Sequence, residues 1–267
     1  MSVIEQALSR TRALGVAAEA PARRVRADAV SAAEPRTLRQ FPRVSLDPAV
    51  LERNCVLPQV ADRAGLRAYK ILRTRLLQRL AAKDWRSVAV TSTKAGEGKT
   101  LTTINLAVAL SQDPNTRVCL VDFDLQRPQV AAQLGIRCER GLGEYLLGEA
   151  QAEQIIYDCG LPSLVVIPNT RTFENSSEML ASARTAELLE LIAADLPSHI
   201  LIFDMPPLSA DDVLTFAPRI DGVLLVVAEG RTERASLEKA KDMLTEMNLV
   251  GVVLNRSAER DDELAYY

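Results

Sequence analysis

Six short apolar runs, at residues 87–91, 118–121, 164–167, 200–203, 223–227 and 250–254, are rich in Val, Ile and Leu and show no in/out alternation. A strand that is apolar on both sides must be covered on both sides, so such runs belong to a parallel sheet held between helices. Helical stretches fill the gaps, among them 99–110, 185–194 and 234–247. Right-handed crossovers join elements of this kind into an α/β fold, a doubly wound, mostly parallel sheet flanked by helices. Ligands of that architecture bind beyond the carboxyl ends of the strands, and the polar motifs of this chain fall there.

The first run leads into Thr91-Ser-Thr-Lys-Ala-Gly-Glu-Gly-Lys-Thr100, which then opens a predicted helix. Gly96 and Gly98 let the backbone curl its N–H groups around phosphate oxygens. The helix start adds the positive end of its dipole. A lysine at position 99 reaches the β- and γ-phosphates, and the Thr100 hydroxyl is placed to ligate Mg²⁺. The loop therefore predicts binding of ATP with Mg²⁺ through Lys94, Ala95, Gly96, Glu97, Gly98, Lys99, Thr100 and Leu101. The strict pattern G-x-x-x-x-G-K-[ST] begins with Gly, where this chain has Thr93.

Two further runs end in acids. The second ends Val118-Cys-Leu-Val-Asp122-Phe-Asp124, and the fourth ends Ile200-Leu-Ile-Phe-Asp204-Met-Pro-Pro207. One acid of a D-x-D pair can hold a metal or its water while the other takes the proton of an attacking hydroxyl. Asp204 has the form of a Walker B acid that orients Mg²⁺, and Pro206 and Pro207 stop the strand from continuing. Asp211 and Asp212 read as helix-capping residues.

The rest of the chain narrows the function class. A net charge of −3 and 4% aromatic content give no case for nucleic acid as a partner. Cys55, Cys119, Cys138 and Cys159 form no C-x-x-C pair and the chain has one histidine, His199, so a structural zinc site is not expected. No run approaches the ~18 apolar residues of a membrane span, and the N-terminus lacks the features of a signal peptide. The protein is expected in the cytoplasm, meeting a membrane only through a partner. Ser2 and Glu5 form a capping box that predicts a short amphipathic helix over 1–14, followed by an Ala-, Arg- and Pro-rich linker over 15–45. Over 64–80, Leu66, Tyr69, Leu72, Leu76 and Leu80 mark one helical face, and Arg63, Arg67, Lys70 and Arg73 mark a basic stripe beside it. A P-loop domain over 46–256 and an acidic, tyrosine-ended segment over 257–267 complete the organisation.

The order of phosphate loop, D-x-D strand end and apolar-Asp-x-Pro-Pro strand end resembles the bacterial tyrosine kinases, including the cytoplasmic CpsD/CapB type. These are related to the MinD/ParA P-loop ATPases. The likeness spans residues 47–256 and includes Asp124-Leu-Gln-Arg-Pro128, Asn175-Ser-Ser-Glu-Met-Leu180 and Asp221-Gly-Val-Leu-Leu-Val-Val227. It implies a P-loop NTPase fold of MinD/ParA type and an ATP-dependent tyrosine autokinase that regulates capsule or exopolysaccharide synthesis. By position it implies catalytic roles for Lys99, Asp122, Asp124 and Asp204, with Asp122 as proton acceptor, and metal ligation by Thr100, Asp122 and Asp204. Lys94 matches a lysine that reaches the phosphates of a facing subunit. Asn255 matches a position near the adenine, where a turn-forming Asn reads equally well. Tyr266 and Tyr267 correspond to the phosphoacceptor cluster. The implied partners are other copies of the chain and a chain-length-determinant (Wzz-like) inner-membrane activator. The chain departs from the family at Gln126, where Arg is usual, and at Arg67, where the oligomerisation pattern begins with Glu. Two other readings stay open: an ATPase switch whose output is dimerisation, and an adaptor that holds nucleotide without catalysis.

Overall fold

Each β-branched run forms a strand, and the computed structural model, which describes residues 41–59, 63–196 and 199–257, arranges them in one sheet. The strands are β1 (Ser87–Ser92), β2 (Arg117–Asp122), β3 (Tyr157–Asp158), β4 (Leu164–Ile167), β5 (His199–Asp204), β6 (Gly222–Ala228) and β7 (Leu249–Asn255). Their order is β3-β4-β2-β5-β1-β6-β7, and every pairing is parallel except that of β3 with β4. The helices are α1 (Pro48–Arg53), α2 (Arg63–Lys83), α3 (Lys99–Ser111), α4 (Val130–Leu134), α5 (Leu142–Leu146), α6 (Ser176–Ala181), α7 (Ala183–Asp195), α8 (Asp212–Phe216) and α9 (Arg234–Met243). The expected helix over 234–247 is α9 followed by a short 3₁₀ turn, Leu244–Glu246.

Burial on both faces explains the missing alternation. All residues of β1 and β6 are buried, as are all but Arg117 in β2. On one face, Val88, Val90, Val118, Leu120, Ile202, Leu224 and Val226 pack against α3 residues Ile104, Leu106 and Leu110 and α2 residues Leu76 and Leu80. On the other, Val121, Phe123, Phe203, Leu225 and Phe216 meet α7 residues Leu188, Leu189 and Ile192. Phe123 and Phe203 stack at 5.3 Å between ring centroids, and Phe216 meets both edge-on at 4.8 and 5.2 Å. Cys119 lies inside this core, and burial pushes its thiol up to about 12.

One boundary differs from the sequence reading. Residues 41–44, assigned to the linker, are docked on the sheet edge. The Val44 N–H donates to the Asp158 carbonyl and the Asp158 N–H to that of Pro42, at 2.9 Å each, and Arg43 pairs with the Asp158 carboxylate at 3.0 Å. The cause is β3, a two-residue edge strand too short to leave a periodic signal. The expected helix over 1–14, the linker up to residue 40 and residues 258–267 with Tyr266 and Tyr267 lie outside the described residues.

Candidate functional site

Strand register assembles the site. β5 lies between β1 and β2, and its last residue, Asp204, pairs with Asp122 of β2 on one side and Val90 of β1 on the other. The two acids thus stand on neighbouring strand ends beside the loop that leaves β1. Phe123 and Phe203 alternate with the acids and point into the opposite core layer, so the aromatic cluster fixes the strand ends from behind.

The phosphate loop runs from Thr93 to Gly98. Gly96 and Gly98 have φ of 84° and 91°, in the left-handed region that only glycine enters without strain. A Cβ on Gly98 would also lie 2.1 Å from Asn255 Nδ2. Thr93 is tolerated at the usual first-glycine position because it is not in the left-handed region. Its N–H and hydroxyl instead donate to Glu97 at 2.8 and 2.7 Å. Glu97 also accepts from the Lys94 N–H at 3.0 Å and from the Thr232 hydroxyl at 2.5 Å. The sequence marked Glu97 as a loop contact; the structure shows it closing the loop on itself and fastening it to the segment after β6. Nothing in the spacing of Thr93, Glu97 and Thr232 signals that clip, because Thr232 is 135 residues away.

At the start of α3, Gly98 supplies no side-chain cap. The first N–H groups and the helix dipole are left for an anion. Lys99 Nζ lies 2.6 Å from Asp124 Oδ2 and 3.3 Å from Asp204 Oδ2. The Thr100 hydroxyl donates to Asp204 Oδ2 at 2.7 Å, and the Thr103 hydroxyl lies 3.1 Å from Asp204 Oδ1. Burial would lower the Lys99 ammonium, but Asp204 and Asp124 hold it above its ordinary value. Asp204 is raised by burial, with Lys99 and the Thr100 hydroxyl opposing.

Asp122 is fully buried and touches neither Lys99 nor Thr100. Its Oδ2 accepts the N–H groups of Gln129 and Val130 at 3.1 and 3.0 Å, and Oδ1 accepts that of Asp124 at 3.3 Å. Burial first, then the charge of Asp204, raises its carboxyl well above the usual range. Asp124 Oδ1 accepts the Arg127 N–H at 2.9 Å, which orders the turn that follows.

Other expected contacts divide. Ala95 and Gly96 form the exposed loop tip, while Leu101 packs at the edge of the core. Lys94 pairs with Glu233 of the same chain at 2.9 Å. Asn255 donates to the Glu97 carbonyl at 2.8 Å and Arg256 to that of Gly96 at 3.0 Å, so the end of β7 is fastened to the phosphate loop. Asp211 and Asp212 do not cap α8 with their side chains. Asp212, 1% exposed, instead accepts from Ser176 at 2.8 Å and from Gln126 at 3.1 Å, a cluster the sequence did not reveal.

These residues fit a nucleotide polyphosphate with Mg²⁺. The uncapped helix start leaves N–H groups that phosphate oxygens could take, and Thr100 and Asp204 offer hard oxygen donors to a cation. One carboxylate and one hydroxyl are a donor set of the kind Mg²⁺ takes, an ion usually held by one or two carboxylates and substrate phosphates.

Fold and site together define a P-loop nucleotide-binding protein. The CobQ/CobB/MinD/ParA nucleotide-binding domain matches residues 88–266, and the chain belongs to that family. Within it, the chain belongs with the bacterial tyrosine kinases: it is 30% identical over 222 residues to the tyrosine-protein kinase YwqD of Bacillus subtilis, covering 81% of this chain and 92% of that one. The succinoglycan biosynthesis transport protein ExoP of Rhizobium meliloti is 30% identical over 67% of this chain and 23% of its own length. The kinase domain of the Escherichia coli tyrosine kinase ETK superposes with a TM-score of 0.62 at 26% identity, covering 72% of this chain and 77% of that one.

Proposed function

We propose that this chain is an ATP-dependent protein-tyrosine autokinase that serves exopolysaccharide or capsule synthesis. The observation that carries the reading is the juxtaposition of Lys99 with three buried acids from two adjacent strand ends, directly below an uncapped phosphate loop. The named activities of YwqD and ETK and the biosynthetic role in the name of ExoP support it.

In this reading the loop N–H groups and Lys99 bind the β- and γ-phosphates, and Lys99 exchanges its contact with Asp124 for phosphate oxygen. Thr100 and Asp204 hold Mg²⁺, with Asp122 and Asp124 lining the same side. Bound there, the ion neutralises phosphate charge and polarises the phosphorus–oxygen bonds. A tyrosine Oη attacks the γ-phosphorus, the bond from that phosphorus to the β–γ bridging oxygen breaks, and ADP leaves. The phenol proton passes to Asp122 Oδ1, which has a lone pair to spare beside its bond from Asp124. Its raised affinity for protons suits that task. Tyr266 and Tyr267 of a neighbouring copy are the acceptors, and a Wzz-like membrane protein is the activator. Among the described residues no helix is long and apolar enough to cross a membrane; in this reading contact with the membrane runs through that partner.

Incubation of the full chain with Mg·ATP, with and without the cytoplasmic part of a candidate activator, followed by mass spectrometry, tests the reading. Phosphate is expected on tyrosine in the wild type and absent from Lys99→Ala. ATP turnover with no phosphotyrosine under either condition would transfer the assignment to an ATPase switch, the reading that the exposed Lys94 at the loop favours.

A further inference from the structure

Helix α2 carries seven cations, Arg63, Arg67, Lys70, Arg73, Arg75, Arg79 and Lys83, and no acid, in a chain whose net charge is −3. Six of them are exposed, and Arg73 is turned in to the Ala109 carbonyl at 3.2 Å. None takes part in an ion pair among the described residues. Spacings of three and four, as in Arg63/Arg67, Arg67/Lys70, Arg75/Arg79 and Arg79/Lys83, set like charges against one another, and cations at the first turn oppose the helix dipole. The helix is therefore less stable than a mixed-charge helix of the same length, and an anion laid along it relieves the repulsion. A two-fold contact of this helix with its own copy does not qualify, since it sets cations against cations.

We infer that α2 is the docking surface for the chain's own acidic segment, residues 258–267. Charge complementarity selects it: Glu259, Asp261, Asp262 and Glu263 stand against the lone Arg260. Two aromatic rings follow, which stack on guanidinium groups. The root of the segment is also in the right place. Arg79 lies against β7, since a Cβ on Gly251 would sit 3.3 Å from Arg79 Nη1. From Gly251, β7 runs four residues to Asn255, about 13 Å at strand rise. α2 leads into β1 through a three-residue turn and so runs against the strands. The same ~13 Å along the helix is about nine residues, which brings the level from Arg79 to Lys70. The segment thus leaves the fold beside the basic helix, and a tether this short gives an effective concentration on the order of millimolar. Pairing that is weak between free molecules is sufficient here. The inference does not depend on Tyr266 or Tyr267 being phosphorylated.

Zero-length carbodiimide coupling of the full chain, prepared as an equal mixture of ¹⁴N and ¹⁵N protein at low salt, tests this. Lys70 or Lys83 is expected to form an isopeptide bond with a carboxylate in 259–263, in peptides of a single isotope. The yield is expected to fall roughly fivefold or more at about 0.5 M salt, where exposed charges are screened. The same fall is expected in Arg67→Glu/Arg75→Glu, which keeps both lysine reporters. Mixed-isotope peptides making up about half of the coupled product, the share expected for random pairing of copies, would assign the surface to a second copy's segment and overturn the inference. Absence of any coupling to 259–263, or coupling indifferent to salt in the wild type, would overturn it as well.

Discussion

Asp122 and Asp124 are two residues apart and do different things. Asp124 neutralises Lys99 at 2.6 Å, whereas Asp122 is clasped by three backbone N–H groups with its proton affinity raised by burial and by Asp204. Asp122→Asn is therefore expected to keep Mg·ATP binding within about threefold while phosphotyrosine formation falls by roughly 10²–10⁴, the usual contribution of a positioned base. Asp124→Asn is expected to alter nucleotide affinity as well, because it releases Lys99. Stability separates them further. A carboxyl raised in the folded state adds stability below its unfolded value, and that contribution disappears as pH rises through the folded value. Asp122→Asn should consequently gain in melting temperature relative to wild type as pH rises above the ordinary carboxylate range and lose the advantage in acid. Thermal melts of nucleotide-free protein check this, and a difference that does not change with pH would refute the buried-charge account. The identity of these acids was legible in the sequence, because an apolar strand that ends in Asp is a local pattern. Their different surroundings were not, since these depend on the N–H groups of Gln129 and Val130 and on a neighbour 82 positions further along.

At the level of elements, the six long strands and helices α2, α3, α7 and α9 could be read from periodicity; α8 was marked only by the acids at its start, and α1, α4, α5, α6 and β3 could not be read. Those missed span six residues or fewer, less than two helical turns, and are defined by what packs on them. The Gln126–Ser176–Asp212 cluster belongs to the same category: the turn after β2 and the first residues of α6 and α8 meet there from distant parts of the chain, so Asp212 reads locally as a cap. The phosphate loop shows how much such contacts matter. Its closure rests on Glu97, and Glu97 is tied to the segment after β6 by Thr232, whose hydroxyl also accepts the Ala228 N–H at 2.8 Å. Thr232→Val removes both bonds and leaves the Ala228 N–H without this partner. A cost of about 1–2 kcal/mol in stability is expected. The loop also loses preorganisation, so Kd for Mg·ATP is expected to rise about five- to tenfold. Thr232→Ser restores the hydroxyl and should return both values close to wild type. Calorimetry on the two variants decides the matter; a Val variant that binds like wild type would show that Glu97 holds the loop unaided.

Over the whole molecule, the parallel sheet gathers the phosphate loop, the three acids and the end of β7 at one edge. Asn255 and Arg256 are hydrogen-bonded to the loop itself, so the described part of the chain ends beside the phosphate loop. The chain has five tyrosines. Tyr145 and Tyr157 are 2% and 6% exposed, and the Tyr157 hydroxyl is engaged with the Arg140 carbonyl. Tyr69 packs at the edge of the core, where burial raises its hydroxyl. None of these three can enter an active site without local unfolding, which is why the proposed function takes Tyr266 and Tyr267 as the acceptors. Tyr266→Phe/Tyr267→Phe is expected to remove at least about nine-tenths of the phosphotyrosine while ATP affinity stays unchanged, since rate follows the number of accessible acceptors. Each phosphate adds about −1.5 to −2 charges to an already acidic segment. If copies assemble as the proposed function requires, repulsion between modified segments would loosen the assembly, and the double-Phe variant should stay associated in Mg·ATP under conditions where wild type dissociates. Light scattering with parallel phosphotyrosine detection reads both outcomes. Strong labelling that survives the double substitution would mean that a packed tyrosine becomes exposed during turnover, and labelled-peptide mapping would then identify which of Tyr69, Tyr145 and Tyr157 it is.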